Sequence, residues 1–300
     1  MTASDRFRAD SPAAPLAVPG RRPFGERLHG AVGARGPLCV GIDPHPALLD
    51  AWGLSDDPVG LERFALGVVD ALADRVAVLK PQLALFERHG SRGVAVLERV
   101  LERAAAAGAL TIADAKRGDI GSTMAAYAQA FVGEGSPLAA DAVTASPYLG
   151  FGSLRPLLDL AAGTGRGVFV LALTSNPEGP TIQHARTAAG PTVAQSILDA
   201  VAAENVGASP LGSVGAVVGA TVGPQGAAHR MDINGPLLSP GIGAQGAGPR
   251  ELREVFGTAL GAVLPSTSRE VLRAGPSPAG LRDAAERTLE GVRLALAGTA

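Results

Sequence analysis

The sequence predicts a (β/α)8 barrel, and two regularities of the chain carry that prediction. Eight short apolar runs alternate with longer stretches rich in Ala, Leu and Arg, and the 300 residues slightly exceed the roughly 250 typical of such barrels. The runs are apolar throughout rather than alternating, which is typical of strands buried on both faces. They span residues 38–43, 76–80, 110–114, 142–146, 167–173, 215–220, 237–241 and 262–266.

The stretches between the runs carry apolar residues at helical spacing, most clearly in 61–73, 93–107, 154–162 and 192–204. We assign residues 1–22, which are rich in Pro, Ala and Arg, to a flexible N-terminal arm, and residues 23–300 to a single catalytic barrel domain. A doubly wound open sheet is the main alternative. That fold usually has a Gly-rich turn after its first strand, whereas this chain has Asp-Pro-His-Pro at 43–46.

Composition excludes several classes of function. The net charge is −2 and the basic residues are scattered, so neither nucleic acid nor an anionic membrane is an expected partner. No apolar run reaches the roughly 18 residues of a membrane helix, and the N-terminus lacks the apolar core of a signal peptide. Cys39 is the only cysteine, and the five histidines show no ligand spacing. We therefore expect a cytoplasmic protein without a metal site.

The two lysines of the chain stand out against its 24 arginines. Lys80 ends the second apolar run, and Lys116 follows the third. Arg is always charged, whereas Lys is a compact ammonium that can release a proton. Two lysines kept at strand ends, each near an acid, therefore indicate a site that delivers a proton. Chance survival in an Arg-rich composition is the alternative.

The strand ends in chain order bring together acids and ammonium groups: Asp43, Lys80, Asp114 and Lys116. In a (β/α)8 barrel these ends meet at one mouth, where reacting groups lie. Asp114 and Lys116 are two residues apart, so on an extended strand their side chains face the same way. Asp119 follows Gly118, which permits a sharp turn. A structural ion-pair cluster is the alternative, but four crowded charges are costly to desolvate and favour a chemical role.

A second set of residues has the features of a phosphate site. The segment 238–246, Leu-Ser-Pro-Gly-Ile-Gly-Ala-Gln-Gly, follows the seventh run, and its glycines let backbone N–H groups approach an anion. The loops after strands seven and eight are the usual phosphate site of such barrels. Gln245 lies in the first of these loops and Arg269 follows the eighth run. Since the chain has 40 glycines, the Gly-rich turn alone is a weak signal.

The segment 114–121, Asp-Ala-Lys-Arg-Gly-Asp-Ile-Gly, closely resembles the Asp-x-Lys-x-x-Asp signature of the orotidine 5′-phosphate decarboxylase family. The resemblance runs from about residue 24 to 269 and is closest to the longer bacterial branch. It includes Gly-Ile-Asp-Pro at 41–44, Thr-Ser-Asn-Pro at 174–177 and Pro-Gly-Ile-Gly-Ala-Gln-Gly at 240–246. It implies a decarboxylation of orotidine 5′-monophosphate to UMP without a cofactor, the final step of de novo UMP synthesis.

The resemblance also implies roles for individual positions. Asp43 and Lys80 would hold the ribose hydroxyls and orient the charge network. Asp114 would lie against the substrate carboxylate, and Lys116 would protonate the pyrimidine carbon as carbon dioxide leaves. A preorganised ammonium aimed at the developing negative charge is the largest stabilisation available there without a metal.

The resemblance further implies residues that come from a second subunit, and residues that bind the pyrimidine and the phosphate of the substrate. Asp119, Ile120 and Thr123 would reach across the interface of a homodimer into the neighbouring site. Ser146 would bond the pyrimidine amide, although many members of this branch have Asn there. Gln245, Gly246 and Arg269 would bind the phosphate end.

Two other functions remain open at this point. A metal-dependent sugar-phosphate decarboxylase or aldolase on a related barrel shares the Asp-x-Lys-x-x-Asp pattern. Those relatives have an acid at the end of strand two that helps to hold magnesium, whereas this chain has Lys80, which repels a cation. A non-catalytic nucleotide-binding protein on the same scaffold is the second alternative, but loss of catalysis usually erodes the charged residues, which are all present.

Overall fold

The computed structural model describes residues 20–223, 226, 228–241 and 249–297. Eight parallel strands pair in chain order, and the last returns to pair with the first, which closes a barrel. The strands are β1 (Cys39–Ile42), β2 (Val78–Pro81), β3 (Leu110–Arg117), β4 (Ala142–Ala145), β5 (Gly167–Leu173), β6 (Val214–Val218), β7 (Leu237–Pro240) and β8 (Val263–Thr267). The predicted (β/α)8 barrel is confirmed, and the open doubly wound sheet is excluded.

Most strand boundaries lie within a residue or two of the predicted runs, and two departures have local causes. β2 begins at Val78 because the N–H of Val76 bonds to Leu72 O at the end of the preceding helix, so Val76 is not free to join the ladder. β3 continues three residues beyond its predicted end at Asp114, as far as Arg117. That extension carries Lys116 and contains a register shift against β4.

Helices surround the barrel, and the four predicted helical stretches are found with small shifts at their ends. In the described chain the α-helices span Phe24–Arg35, Pro46–Ala51, Pro58–Leu72, Leu83–Glu87, Gly90–Ala106, Gly121–Val132, Arg155–Gly163, Pro180–Gln183, Val193–Glu204, Pro249–Phe256, Arg269–Leu272 and Pro278–Ala297. Short 3-10 helices span Phe151–Leu154 and Gly257–Ala262. None of the helices in the described ranges is long and apolar enough to cross a membrane.

Sequence signals explain where the longer helices begin. Asp57 accepts hydrogen bonds from the N–H groups of Val59 and Gly60, and Pro58 occupies the first helical position of Pro58–Leu72. Thr192 in the same way accepts from the N–H of Gln195 at the start of Val193–Glu204. Both caps satisfy backbone donors that a helix start leaves unpaired.

The N-terminal end of the barrel is filled by the first helix. Phe24 is fully buried and meets Phe169 of β5 edge to face, with ring centroids 5.9 Å apart. Gly167 permits this approach, since a Cβ at that position would collide with the Phe24 ring. Residues 1–19 of the predicted N-terminal arm lie outside the described residues, whereas Arg21 lies 3.5 Å from Glu134 at this end of the barrel. Because side chains fill the N-terminal end of the barrel, the functional site is expected at the C-terminal ends of the strands.

Candidate active site

A cavity of about 270 Å³ opens among the C-terminal ends of the strands. Its polar lining residues are Asp43, His45, Lys80, Gln82, Asp114, Lys116, Thr144, Ser266, Thr267, Ser268 and Arg269. Its apolar base includes Leu171, Val217 and Leu238 from β5, β6 and β7. The predicted mouth charges of β1, β2 and β3 therefore share one cavity with the arginine that follows β8.

Asp114 lies at the centre of the charged residues. Lys80 donates to its Oδ2 at 2.7 Å, and Lys116 donates to its Oδ1 at 2.6 Å. Asp114 and Lys80 are each only 7% exposed, whereas the Lys116 side chain is 45% exposed and borders the cavity. One buried carboxylate thus bridges two ammonium groups that both line the cavity, of which Lys116 is the more exposed.

The bridging keeps both buried groups charged. Burial alone would raise the pKa of Asp114, but the charges of Lys80 and Lys116 and their hydrogen bonds outweigh it and hold that pKa well below the usual carboxyl range. Burial alone would lower the pKa of Lys80, but the carboxylates of Asp114 and Asp43 outweigh it and raise that pKa above its ordinary value. Lys80 is therefore held as a cation by its carboxylate neighbours, whereas Lys116 has the more exposed ammonium side chain of the two.

Two residues without an assigned role in the sequence prediction complete the environment of Asp114. Thr144, at the end of β4, donates from Oγ1 to Asp114 Oδ1 at 2.9 Å and accepts the Lys116 N–H at 2.9 Å. Gln82 donates from Nε2 to Asp114 Oδ2 at 3.0 Å. Residue spacing could have indicated Gln82 as a site residue. Gln82 comes two residues after Lys80, as Lys116 comes two after Asp114, so its side chain lies on the same strand face as that of Lys80.

The backbone at Lys116 differs from the extended strand that the sequence predicts. Its φ is +49°, a left-handed value that is uncommon outside glycine. The Thr144 hydroxyl holds the Lys116 N–H in this conformation. Gly118 is required for a reason other than a turn, because a Cβ there would collide with the carbonyl oxygen of Ser146. The side chains of Asp114 and Lys116 meet as predicted, although through a bulged strand end.

Several polar atoms at the β1 and β8 side of the cavity make no hydrogen bond within the described chain. They are buried and include Asp43 Oδ1, Thr267 Oγ1 and Ser268 Oγ. Buried polar groups in proteins are almost always paired, so a row of unpaired ones around a cavity indicates a polar ligand. Arg269 is exposed beside them and forms no ion pair with any described residue, so its guanidinium is available to an anion.

Not every predicted site residue lines this cavity. Asp119, Ile120, Thr123 and Ser146 lie outside its lining. Ser146 donates its N–H to Arg117 O at 2.8 Å, and Asp119 accepts the N–H of Ile120 at 2.8 Å. Gln245 and Gly246 lie outside the described residues. Within the described ranges, no group of three or more His, Cys, Asp or Glu side chains is arranged to hold a metal ion.

A (β/α)8 barrel with an acid bridging two lysines at its strand ends defines an enzyme whose chemistry is carried by mouth side chains. A family model described as "Orotidine 5'-phosphate decarboxylase / HUMPS family" matches residues 36–284. A relative from Salinispora arenicola named orotidine 5′-phosphate decarboxylase is 64% identical over 277 residues, covering 92% of this chain and 99% of its own length. The chain therefore belongs to the orotidine 5′-phosphate decarboxylase / HUMPS family.

Further relatives agree in sequence and in fold. A Streptomyces coelicolor protein named orotidine 5′-phosphate decarboxylase is 61% identical over 274 residues, covering 91% of this chain and 98% of its own. The crystal structure of a Streptomyces avermitilis protein assigned the same activity superposes with a TM-score of 0.90 at 59% identity. It covers 95% of this chain and 99% of that one. The Leishmania donovani OMP decarboxylase structure is 29% identical, with a TM-score of 0.73, and covers 91% and 99% of the two chains.

We expect Asp114→Asn to lower the free energy of unfolding by about 3–5 kcal/mol at neutral pH, because it leaves two ammonium groups without their shared carboxylate. The deficit should shrink in acid. The folded-state pKa of Asp114 is lowered, so its contribution is full above the unfolded carboxyl pKa of about 4 and is lost as pH falls through the folded pKa. Urea unfolding of both proteins between pH 7 and pH 3 measures this, and a difference that grows in acid would contradict it.

Proposed function

We propose that this protein converts orotidine 5′-monophosphate to UMP and carbon dioxide, the final step of de novo UMP synthesis. The observation that carries the proposal is the Asp114 carboxylate buried between Lys80 and Lys116 at the base of an open cavity. Family membership supports the reaction class, since relatives at 58–64% identity are named for this activity. On this basis we also assign the protein to the cytoplasm.

In the proposed reaction Lys116 first stabilises a carbanion and then protonates it. Loss of carbon dioxide leaves an electron pair on the pyrimidine carbon, with little resonance help. The Lys116 ammonium, oriented by its 2.6 Å bond to Asp114, is aimed into the cavity where that charge develops. A fixed charge of this kind needs no reorganisation during the reaction. Proton transfer to the carbon then completes UMP.

The surrounding residues act by orientation and binding. Lys80 and Asp43 line the cavity on the neighbouring strands, and we assign them to the ribose hydroxyls. Asp114 lies against the substrate carboxylate in this proposal, and its two ammonium partners keep it ionised there. No cofactor enters the reaction. The ammonium of Lys80 at the end of β2 also repels a divalent cation, which disfavours the magnesium-dependent alternative.

The phosphate end is assigned to the loops after β7 and β8. Arg269 begins the helix Arg269–Leu272 at the cavity rim and can contact phosphate with two N–H groups. Gln245 and Gly246 are proposed phosphate ligands on sequence grounds, and Ser146 is proposed to contact the pyrimidine amide. Binding energy at the phosphate, far from the reacting carbon, can raise the rate when it stabilises the productive site.

A homodimer with shared sites is the proposed assembly. Asp119 is half-buried, does not line its own cavity, and is followed by Ile120, which is 62% exposed. The adjoining loop exposes Tyr148 at 74% and Leu149 at 53%. The two loops touch, since Ser146 N–H bonds to Arg117 O. A second copy would cover these exposed apolar side chains beside Asp119, and Asp119, Ile120 and Thr123 would enter its site.

The decisive experiment is an absorbance assay of orotidine 5′-monophosphate with the purified protein, before and after treatment with a chelator. We expect equal rates in both conditions, with UMP identified by chromatography. Orotidine without its phosphate is the matched control and should react far more slowly. No consumption of the monophosphate would overturn the proposed function, and a rate abolished by the chelator would favour the metal-dependent alternative.

We expect Arg269→Ala to weaken UMP binding by about 2–3 kcal/mol, or roughly 30- to 150-fold, because a charge-assisted contact is lost. Arg273→Ala is the matched control, since Arg273 is exposed one turn further along and does not line the cavity. Calorimetric titration with UMP measures both. Unchanged UMP affinity in Arg269→Ala would remove Arg269 from the phosphate site.

A further inference from the structure

Arg117, between the two charged positions Lys116 and Asp119, points away from the cavity and is held on three sides. Its guanidinium pairs with Glu87, and its Cζ lies 5.7 Å from the Tyr127 ring centroid and 5.8 Å from that of Phe131. The Arg117 side chain is 27% exposed. We call Arg117, Glu87, Tyr127 and Phe131 the Arg117 brace.

The brace encloses the backbone of Lys116. Lys116 lies between Ala115 and Arg117 in the chain. Nη1 of Arg117 donates to Ala115 O at 3.0 Å, so the residues on either side of Lys116 are joined by a hydrogen bond. This hydrogen bond spans Lys116, whose φ of +49° is a strained backbone conformation for a residue other than glycine. Such a conformation persists only where its surroundings stabilise it. Thr144 accepts the N–H of the Ala115–Lys116 peptide group, and the Arg117 guanidinium donates to the carbonyl oxygen of the same group.

The same guanidinium also holds the segment that carries Asp119. Tyr127 and Phe131 belong to the helix Gly121–Val132, which begins two residues after Asp119. On the other side, Arg117 O accepts the N–H of Ser146, which packs against Gly118. The short segment 118–120 is therefore fixed at both ends by contacts of Arg117. Glu87 anchors the guanidinium to a third element, the helix Leu83–Glu87 that follows β2.

We propose that Arg117 is a positioning residue for the decarboxylation, acting through Lys116 in its own site and through Asp119 in the partner's site. This inference rests on the proposed function. The brace keeps the Lys116 ammonium on Asp114 and aimed at the reacting carbon, and it sets the direction in which Asp119 leaves the barrel. Arg is required because its flat guanidinium can lie near two rings while donating to a carboxylate and a carbonyl, whereas an ammonium cannot make all four contacts.

The test compares Arg117→Lys with a matched control at the opposite end of the barrel. Arg166 has the same kinds of partners, with Nε donating to Ala140 O at 3.0 Å and Nη1 to Glu134 at 2.8 Å, but it precedes β5 and lies far from the cavity. For each variant, kcat, KM, UMP affinity and the thermal midpoint are measured. Concentrations are normalised to UMP-binding sites, so that a partly unfolded sample does not mimic a slow enzyme.

We expect Arg117→Lys to lower kcat by about a hundredfold, the scale of a roughly 1 Å misplacement of a reacting group. UMP affinity should stay within about twofold of wild type, because Arg117 itself does not line the cavity. Arg166→Lys should lower the thermal midpoint while keeping kcat. If Arg117→Lys does not fold, Glu87→Gln serves instead, and the same loss of kcat without loss of UMP affinity is expected.

Two results would overturn the inference. Wild-type kcat in Arg117→Lys would show that the brace does not position Lys116, and equal losses of kcat in the Arg117 and Arg166 variants would reduce its role to general stability. Failure of the proposed function is distinguishable from both, because wild type itself would then not consume orotidine 5′-monophosphate.

Discussion

Lys116→Ala is expected to lower turnover of orotidine 5′-monophosphate by at least about 10⁴-fold, because it removes both the charge that stabilises the carbanion and the proton that completes UMP. The fold should survive. The Lys116 side chain is 45% exposed and packs little, and Asp114 keeps its 2.7 Å bond to Lys80. UMP binding, monitored by calorimetry, should therefore stay measurable in the inactive variant.

Lys116→Arg separates charge from proton transfer at the same position. The guanidinium keeps the positive charge but does not readily release a proton, and its broad fork does not fit the single contact with Asp114. We expect a loss almost as large as in the Ala variant. Arg103→Ala, which breaks an exposed pair with Asp70 on the outer helices, is the control and should keep full activity. Near-normal turnover in Lys116→Arg would contradict the proton-donor role.

Mixing two inactive proteins is expected to restore activity. Lys116→Ala and Asp119→Ala should each be nearly inactive alone. After subunit exchange half of the dimers are hybrids, and each hybrid has one doubly damaged site and one intact site. Activity should return to about a quarter of the wild-type value, as the arithmetic of a shared two-fold interface requires.

A second mixture provides the matched control. Wild type exchanged with the double variant Lys116→Ala/Asp119→Ala should retain about a quarter of the activity of undiluted wild type if sites are shared, because only wild-type dimers are intact. If Asp119 acts within its own chain, about half is retained and the first mixture stays inactive. Exchange is verified by pull-down of a tagged subunit. An inactive first mixture with proven exchange would contradict the shared-site assembly.

The barrel and the charged cluster were predictable because both depend on short-range patterns. Strands buried on both faces are apolar throughout, and eight such runs leave few alternatives. Spacing of two residues brought Asp114 and Lys116 together in the prediction, and their side chains do meet. The two lysines indicated the same cavity, because a chain with 24 arginines has Lys only at these two strand ends.

The backbone of Lys116 was not predictable from local sequence. Its left-handed conformation depends on Thr144, which lies 28 residues away on the neighbouring strand, and on the contacts of Arg117 with two helices. Gln82 was overlooked as a partner of Asp114 for a similar reason, since its contact crosses from the end of β2 to β3. Spacing places Gln82 on the same face as Lys80, but strand register is needed to show that Gln82 lies opposite Asp114.

Decarboxylation followed by protonation from an exchangeable ammonium is tested most directly by proton NMR of the reaction of the wild-type protein in D₂O. The expected result is one UMP and one carbon dioxide for each orotidine 5′-monophosphate consumed, with a single deuterium on the pyrimidine carbon that carried the carboxylate. Substrate that remains unchanged in the presence of folded protein, or cleavage that spares the carboxylate, would contradict the proposed reaction.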